Sequence, residues 1–136
     1  MNHTKSLQEE LFAEIKGRIK QTDLSVPEMR GSHFYYTRTV AGQDYPIYAR
    51  KKGSLDADEE VLLDVNAMAE GHNFYNAFPS ISSNENLMAY ADDTRGRRIY
   101  TIRFKNLITG QQFPETISNT SGNLSLIHIC RCRRAI

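Results

Sequence analysis

Cys130 and Cys132 stand one residue apart, beside His128 and among Arg131, Arg133 and Arg134. Thiolates and imidazole are soft-metal ligands, but zinc takes four ligands and its cysteines are usually spaced more widely, so this trio makes a poor zinc site. Three arginines in four residues suit phosphate, yet no aromatic residues are interleaved and no basic face extends the footprint upstream. Asp56, Asp58 and Glu60 alternate like the opening of a calcium loop. Val61 then stands where the sharp turn needs glycine and Ala67 where the bidentate glutamate belongs, so a solvated acidic loop is expected. His33 and His72 are far apart in sequence from each other and from His3, and a metal site needs convergent ligands. Asp92 and Asp93 form an acidic pair immediately before Thr94-Arg95-Gly96, and both are expected to serve a hairpin turn rather than acid-base chemistry. Tyr35, Tyr36, Tyr45 and Tyr48 could stack bases, but without a basic groove cross-strand packing is the simpler role. Asn119-Thr120-Ser121 has the glycosylation pattern, which carries little weight without a secretion signal. No Gly-x-Ser-x-Gly elbow occurs for acyl transfer by a serine nucleophile. The sequence therefore offers no catalytic, cofactor-binding or metal-binding residue.

The surrounding composition fits one soluble globular unit or a piece of a larger one: 136 residues, 40% hydrophobic and 24% charged. The net charge is +1, and without the three C-terminal arginines it would be −2, which excludes a broadly basic surface. The longest apolar runs are only a few residues, short of a membrane-spanning helix. The N-terminal MNHTKSLQEELF lacks a cationic region followed by an apolar one, so a cytoplasmic setting is expected. The stretch LSLIHI matches the in-frame translation of CTGTCTCTTATACACATC, a transposon end used in sequencing adapters, and RCRR resembles the translated adapter immediately downstream of that end. Residues 124–136 are accordingly expected to be an adapter-derived tail with no consistent packing.

Leu7, Leu11, Ile15 and Ile19, with Phe12 beside them, form one apolar stripe and predict an amphipathic helix over Leu7–Lys20. Ser6 and Glu9 have the spacing of its capping box. From Ser25 the period changes to two. SVPEMRG, HFYYTRTV, YPIYARKK and EEVLLDV read as four strands, linked at Gly31-Ser32, 41–44 and 53–56. A short helical turn is expected near Val65–Glu70. FYNAFPSIS, NLMAYADDT, RRIYTIRFKNL and FPETIS read as four more, linked at 83–86, 94–96 and 108–111. Two sets of four antiparallel strands have the rhythm of β-propeller blades, although strand spacing alone leaves a sandwich open.

HFYYTRTVAGQDYPIYARKKGS, EEVLLDVNAMAEGH, LMAYADDTRGRRIYTIRFKNLITG and ISNTSGN, in this order and spacing, resemble the N-terminal propeller region of the oligopeptidase B branch of the prolyl oligopeptidase family of serine peptidases. The resemblance covers nearly all of residues 7–123. Two departures stand out. The family usually has a Ser-Pro-Asp turn where this chain reads Ser82-Ser83-Asn84, which puts that turn in question, and the helical segment normally preceding Leu7 is short or missing. That second departure suggests an internal start, or a chain cut at both ends.

The resemblance implies a parent with a seven-bladed propeller covering an α/β-hydrolase domain that carries a Ser-Asp-His triad. It also implies cleavage of short peptides after Lys or Arg, with the propeller limiting access by size. The triad would lie in the absent C-terminal domain, so no catalytic role transfers to these residues and the fragment should be inert and poorly soluble. The expected architecture is mainly β, two four-stranded antiparallel blades of an incomplete propeller preceded by one amphipathic helix. The divisions are 1–23 for the helix, 24–123 for about two blades and 124–136 for the tail. The expected partners are short basic peptides and the hydrolase domain, with no cofactor, nucleic acid or membrane. The competing expectation is a non-enzymatic β-propeller or small β binding module.

Overall fold

The computed structural model describes residues 3–20 and 22–122 of the chain. The C-terminal cysteines and arginines, and with them the expectation for 124–136, lie outside the described residues. Helix α1 spans His3–Arg18 and is followed by β1 (Asp23–Leu24), β2 (Glu28–Arg30), β3 (His33–Thr39), β4 (Ile47–Lys52) and β5 (Glu59–Asp64). After the one-turn helix α2 (Val65–Ala69) come β6 (Asn76–Ile81), β7 (Leu87–Asp93), β8 (Tyr100–Asn106) and β9 (Gln112–Thr120). The helix begins four residues earlier than the apolar stripe indicated, because the preceding residues also tolerate helical backbone. Ser6 therefore lies inside the first turns and does not cap them, so the expected capping box is not formed. Leu7, Leu11, Phe12, Ile15 and Ile19 all face solvent. Glu14 and Arg18 pair one turn apart on the same helix.

The first sheet runs β1-β3-β4-β5, with β2 also paired to β3. β1 and β2 are two pieces of one edge strand: Asp23 lies opposite Thr39, and Glu28 opposite Tyr35. The strand expected over SVPEMRG is thus shortened to Glu28–Arg30, and β1 pairs separately ahead of Ser25. Pro27 has no N–H to give to the ladder, and the gap is bridged instead by the Ser25 amide donating to the Thr37 carbonyl at 2.8 Å and the Thr37 amide donating to Ser25 Oγ at 2.8 Å. Counted this way the sheet is four strands wide. The second sheet is a simple antiparallel meander, β6-β7-β8-β9.

α2 is set by Asp64, whose carboxylate accepts the amides of Asn66 at 3.0 Å and Ala67 at 3.3 Å. Asn66 in turn clasps the backbone of Tyr45, accepting from its amide at 2.9 Å and donating to its carbonyl at 2.8 Å. This joint turns the chain from the last strand of one sheet into the first strand of the next.

The two sheets share one core, in which Leu62, Leu63, Val65 and Ala69 meet Tyr75, Ala77, Met88 and Tyr90. β7 is the most buried strand, with Met88, Ala89 and Ala91 fully enclosed. Burying Met88 and Val65 contributes roughly 2 kcal/mol each. No helix among the described residues is long and apolar enough to cross a membrane.

Candidate functional site

The strongest concentration of polar geometry lies where the β6–β7 turn meets the β2–β3 turn. The first of these is built from Ser82, Ser83 and Asn84, the residues that depart from Ser-Pro-Asp. Asn84 takes over as the side-chain acceptor: its Oδ1 receives Ser82 Oγ–H at 2.6 Å and the Asn86 amide at 3.3 Å. Ser82 Oγ also accepts the Leu87 amide at 3.0 Å, and the Glu85 amide returns to the Ser82 carbonyl at 2.9 Å. The turn closes without proline.

Closing it puts Glu85 in left-handed backbone, φ 57°, an uncommon choice for a residue with a long side chain. That conformation aims the carboxylate at the other sheet. It accepts the Ser32 amide at 3.1 Å, Ser32 Oγ–H at 2.6 Å, the His33 ring at 2.9 Å and Tyr35 O–H at 3.2 Å. The carboxylate has no proton to give, so His33 Nδ1 must carry the hydrogen. Desolvation by itself would raise the Glu85 pKa, but the Ser32 hydroxyl and amide, His33 and Tyr35 outweigh it and hold the carboxyl down at about 2. Gly31 makes room for this contact. Its φ is +61°, and a Cβ there would stand 2.8 Å from the Glu85 carboxyl carbon.

Arg50 completes the junction. It is buried, forks onto Glu60 with bonds of 2.7 and 3.0 Å, and donates its remaining arm to the Glu85 carbonyl at 3.1 Å. Beside these groups a cleft of about 710 Å³ opens between the sheets, lined by Tyr35, Tyr48, Leu62, Phe78, Ile81 and Glu85, among others.

Ser32, His33 and Glu85 are the three residue types of a hydrolytic relay, but their arrangement is not one. A relay needs the hydroxyl on one imidazole nitrogen and the carboxylate on the other. Here Ser32 Oγ lies 2.9 Å from Nδ1, Glu85 shares that same nitrogen, and the serine donates directly to the carboxylate. The hydroxyl is held by an acceptor with no proton path beyond it. The arrangement fastens two turns together.

The residues singled out from sequence are dispersed. Glu60 belongs to the Arg50 fork, and no group of three or more His, Cys, Asp or Glu side chains converges on a metal position among the described residues. His72 packs its ring against Tyr75 at 5.5 Å, away from His33. The acidic pair divides. Asp93 serves the turn as expected, accepting the amides of Arg95, Gly96 and Arg98 at 2.8, 3.0 and 2.8 Å. Asp92 does not: it is buried and accepts Tyr75 O–H at 2.9 Å and Arg103 Nε–H at 3.0 Å, because neighbouring residues of a strand point to opposite faces. The tyrosines divide too. Tyr36 donates to Glu59, which also receives Arg38, while Tyr35, Tyr45 and Tyr48 pack against the shared core. Burial first, and then the Glu59 bond, push the Tyr36 phenol up to about 12. Sequence reasoning missed Glu85, Ser32 and Arg50. The one available signal was a glutamate in Ser-Asn-Glu-Asn, a turn whose left-handed position favours Gly or Asn.

Two four-stranded antiparallel sheets, each laid down strand by strand and packed through a common core, are successive blades of a β-propeller. The family model described as "Prolyl oligopeptidase, N-terminal beta-propeller domain" matches residues 1–126, and the chain belongs to this family. It is 45% identical to a dipeptidyl aminopeptidase BI of Pseudoxanthomonas mexicana, over 88% of this chain and 19% of that protein. It is 32% identical to Protease 2 of Moraxella lacunata, over 91% of this chain and 19% of that protein. Oligopeptidase B from Leishmania major superposes with a TM-score of 0.78 at 34% identity, covering 87% of this chain and 17% of that one. The chain thus spans about a fifth of the length of the curated relatives it matches.

Proposed function

We propose that this chain is the start of the propeller of a serine oligopeptidase that hydrolyses short peptides after Lys or Arg, and that the propeller admits substrates by size. The observation that carries this reading is the family match across residues 1–126, together with the blade pair it covers. On this reading residues 1–23 are a leading helix, 24–123 about two blades and 124–136 a foreign tail. The parent acts in the cytoplasm, its partners are short basic peptides, and an α/β-hydrolase domain supplies the triad through an acyl-enzyme. The chain by itself is inert, because the triad belongs to the hydrolase domain and the Ser32-His33-Glu85 cluster lacks relay geometry.

A second reading is favoured by the 45% identical relative, whose name describes removal of dipeptides from a free amino terminus. One experiment separates the two. The full-length gene product and residues 1–123 are assayed with N-blocked Arg-terminated chromogenic peptides, with unblocked dipeptide substrates, and with a serine-directed phosphonate. Turnover of the blocked Arg substrate and serine labelling by the full-length protein alone support the first reading. Turnover of only the unblocked dipeptides supports the second. Hydrolysis by the purified fragment, or an unlabelled and inactive full-length protein, sinks both.

A further inference from the structure

The seam between the blades is fastened differently at its two ends. At one end the chain itself crosses from blade to blade through α2 and residues 70–75, where Val65 and Ala69 meet Tyr75 and Ala77 with Tyr45 and Met68 beside them; the same core continues through Leu62 and Met88 to Ile81, Tyr35 and Leu107 toward the other end. A single hydrogen bond between blades accompanies the crossing, from the Tyr75 amide to Tyr45 Oη at 3.1 Å. At the opposite end lie the β2–β3, β4–β5, β6–β7 and β8–β9 turns, and nothing covalent joins the blades. Among the described residues, every other hydrogen bond between the blades runs to Glu85: from the Ser32 amide and hydroxyl, His33, Tyr35 and Arg50.

Bonds within each blade extend this contact on both sides. The Gly53 amide donates to the Ser32 carbonyl at 2.9 Å, and the Leu107 amide to the Asn86 carbonyl at 2.9 Å, so all four turns are in one network with Glu85 at its centre. The cleft of about 710 Å³ lies beside that residue. A covalent crossing at one end and one multiply bonded carboxylate at the other are the parts of a hinge and a latch.

We propose that Glu85 is an interblade latch: engaged, it holds the two blades closed at the end of the seam opposite α2, and released, it lets them swing apart about the α2 end and open the cleft between them. The device is a property of the seam and does not depend on which peptides the parent cleaves. Its cost is visible in the backbone, since a non-glycine residue is held at positive φ, an arrangement offset by the side-chain bonds to Ser32, His33 and Tyr35 and by the Arg50 bond to the Glu85 carbonyl.

Distances between spin labels test this in the full 136-residue chain with Cys130 and Cys132 replaced by serine. One pair, at Asp56 and Ile108, spans the latch end, and a second, at Gln43 and Arg95, spans the hinge end; all four are exposed turn positions. With Glu85 present both distributions are expected to be narrow. In Glu85→Gln the latch-end distribution should shift to longer distances and broaden, while the hinge-end distribution stays as it was. The milder Ser32→Ala/Tyr35→Phe variant, which leaves the turn backbone untouched, should give an intermediate latch-end shift. An unchanged latch-end distribution in either variant overturns the latch, and so does equal broadening at both ends, which would mark general loosening of the fold.

Discussion

Replacing Glu85 with glutamine keeps the size and backbone preference of the side chain, removes its charge and turns one of its two acceptor oxygens into an N–H donor, so its effect on stability reports the charge-assisted bonding of the seam. Glu85 accepts from four donors, all in the other blade, and only 18% of its side chain is exposed. The fall of its pKa from 4.5 to about 2 corresponds to about 3 kcal/mol, each tenfold change in proton affinity being about 1.4 kcal/mol. Glutamine still offers one oxygen, which recovers part of this, and residual solvent screens the rest. The expected loss at pH 7 is therefore about 2 kcal/mol, or roughly 1–2 M in the urea midpoint for a domain of this size. The sign with pH follows from the direction of the shift. A carboxylate with a depressed folded-state pKa stabilises the fold fully above about pH 4.5, and that contribution disappears as pH falls toward 2. Urea unfolding followed by far-UV circular dichroism and tyrosine fluorescence at pH 7, 4 and 3 should show the gap between the two proteins closing on acidification. A gap below about 0.5 kcal/mol at pH 7, or one that stays constant down the acid limb, would refute the assignment of charge-assisted bonding to Glu85.

Gly31→Ala should cost about 2 kcal/mol by combining a left-handed alanine with displacement of the Glu85 carboxylate. In a double-mutant cycle with Glu85→Gln, measured by the same unfolding assay, the two losses should be markedly less than additive, because both act through one contact. Alkaline titration followed at 295 nm should show a tyrosine ionising near pH 12 that disappears in Tyr36→Phe. Because the folded-state pKa is raised above the ordinary value near 10, the stability Tyr36 contributes is present below pH 10 and lost between about 10 and 12, so the variant's unfolding midpoint should fall less steeply than the wild type's across that range.

Much of this architecture is written in short-range patterns. Short β-rich runs bounded by turn residues marked β3 to β9 to within a few residues, since strand preference and turn chemistry both act over a few neighbouring residues. The turn residues 94–96 and 108–111 and the α2 turn at Val65 were legible for the same reason: Asp64, Asp93 and Asn106 bond amides two or three residues ahead, so cause and effect are local. The split of the first edge strand at Pro27 was legible in principle from that residue's missing N–H. Other features required strands, and then whole blades, to be set against one another. Asp92 and Asp93 are indistinguishable as a sequence pair, yet one closes a turn and the other sits buried between Tyr75 and Arg103, contacts supplied by residues 17 and 11 positions away. Ser32 and Glu85 are 53 residues apart, each unremarkable in its own turn. A carboxylate's partners at that separation depend on how one sheet is set against the next, and that setting comes from volumes in the shared core. No local pattern encodes it, which is why the strands could be read from the chain and the seam between the blades could be found only in the folded structure.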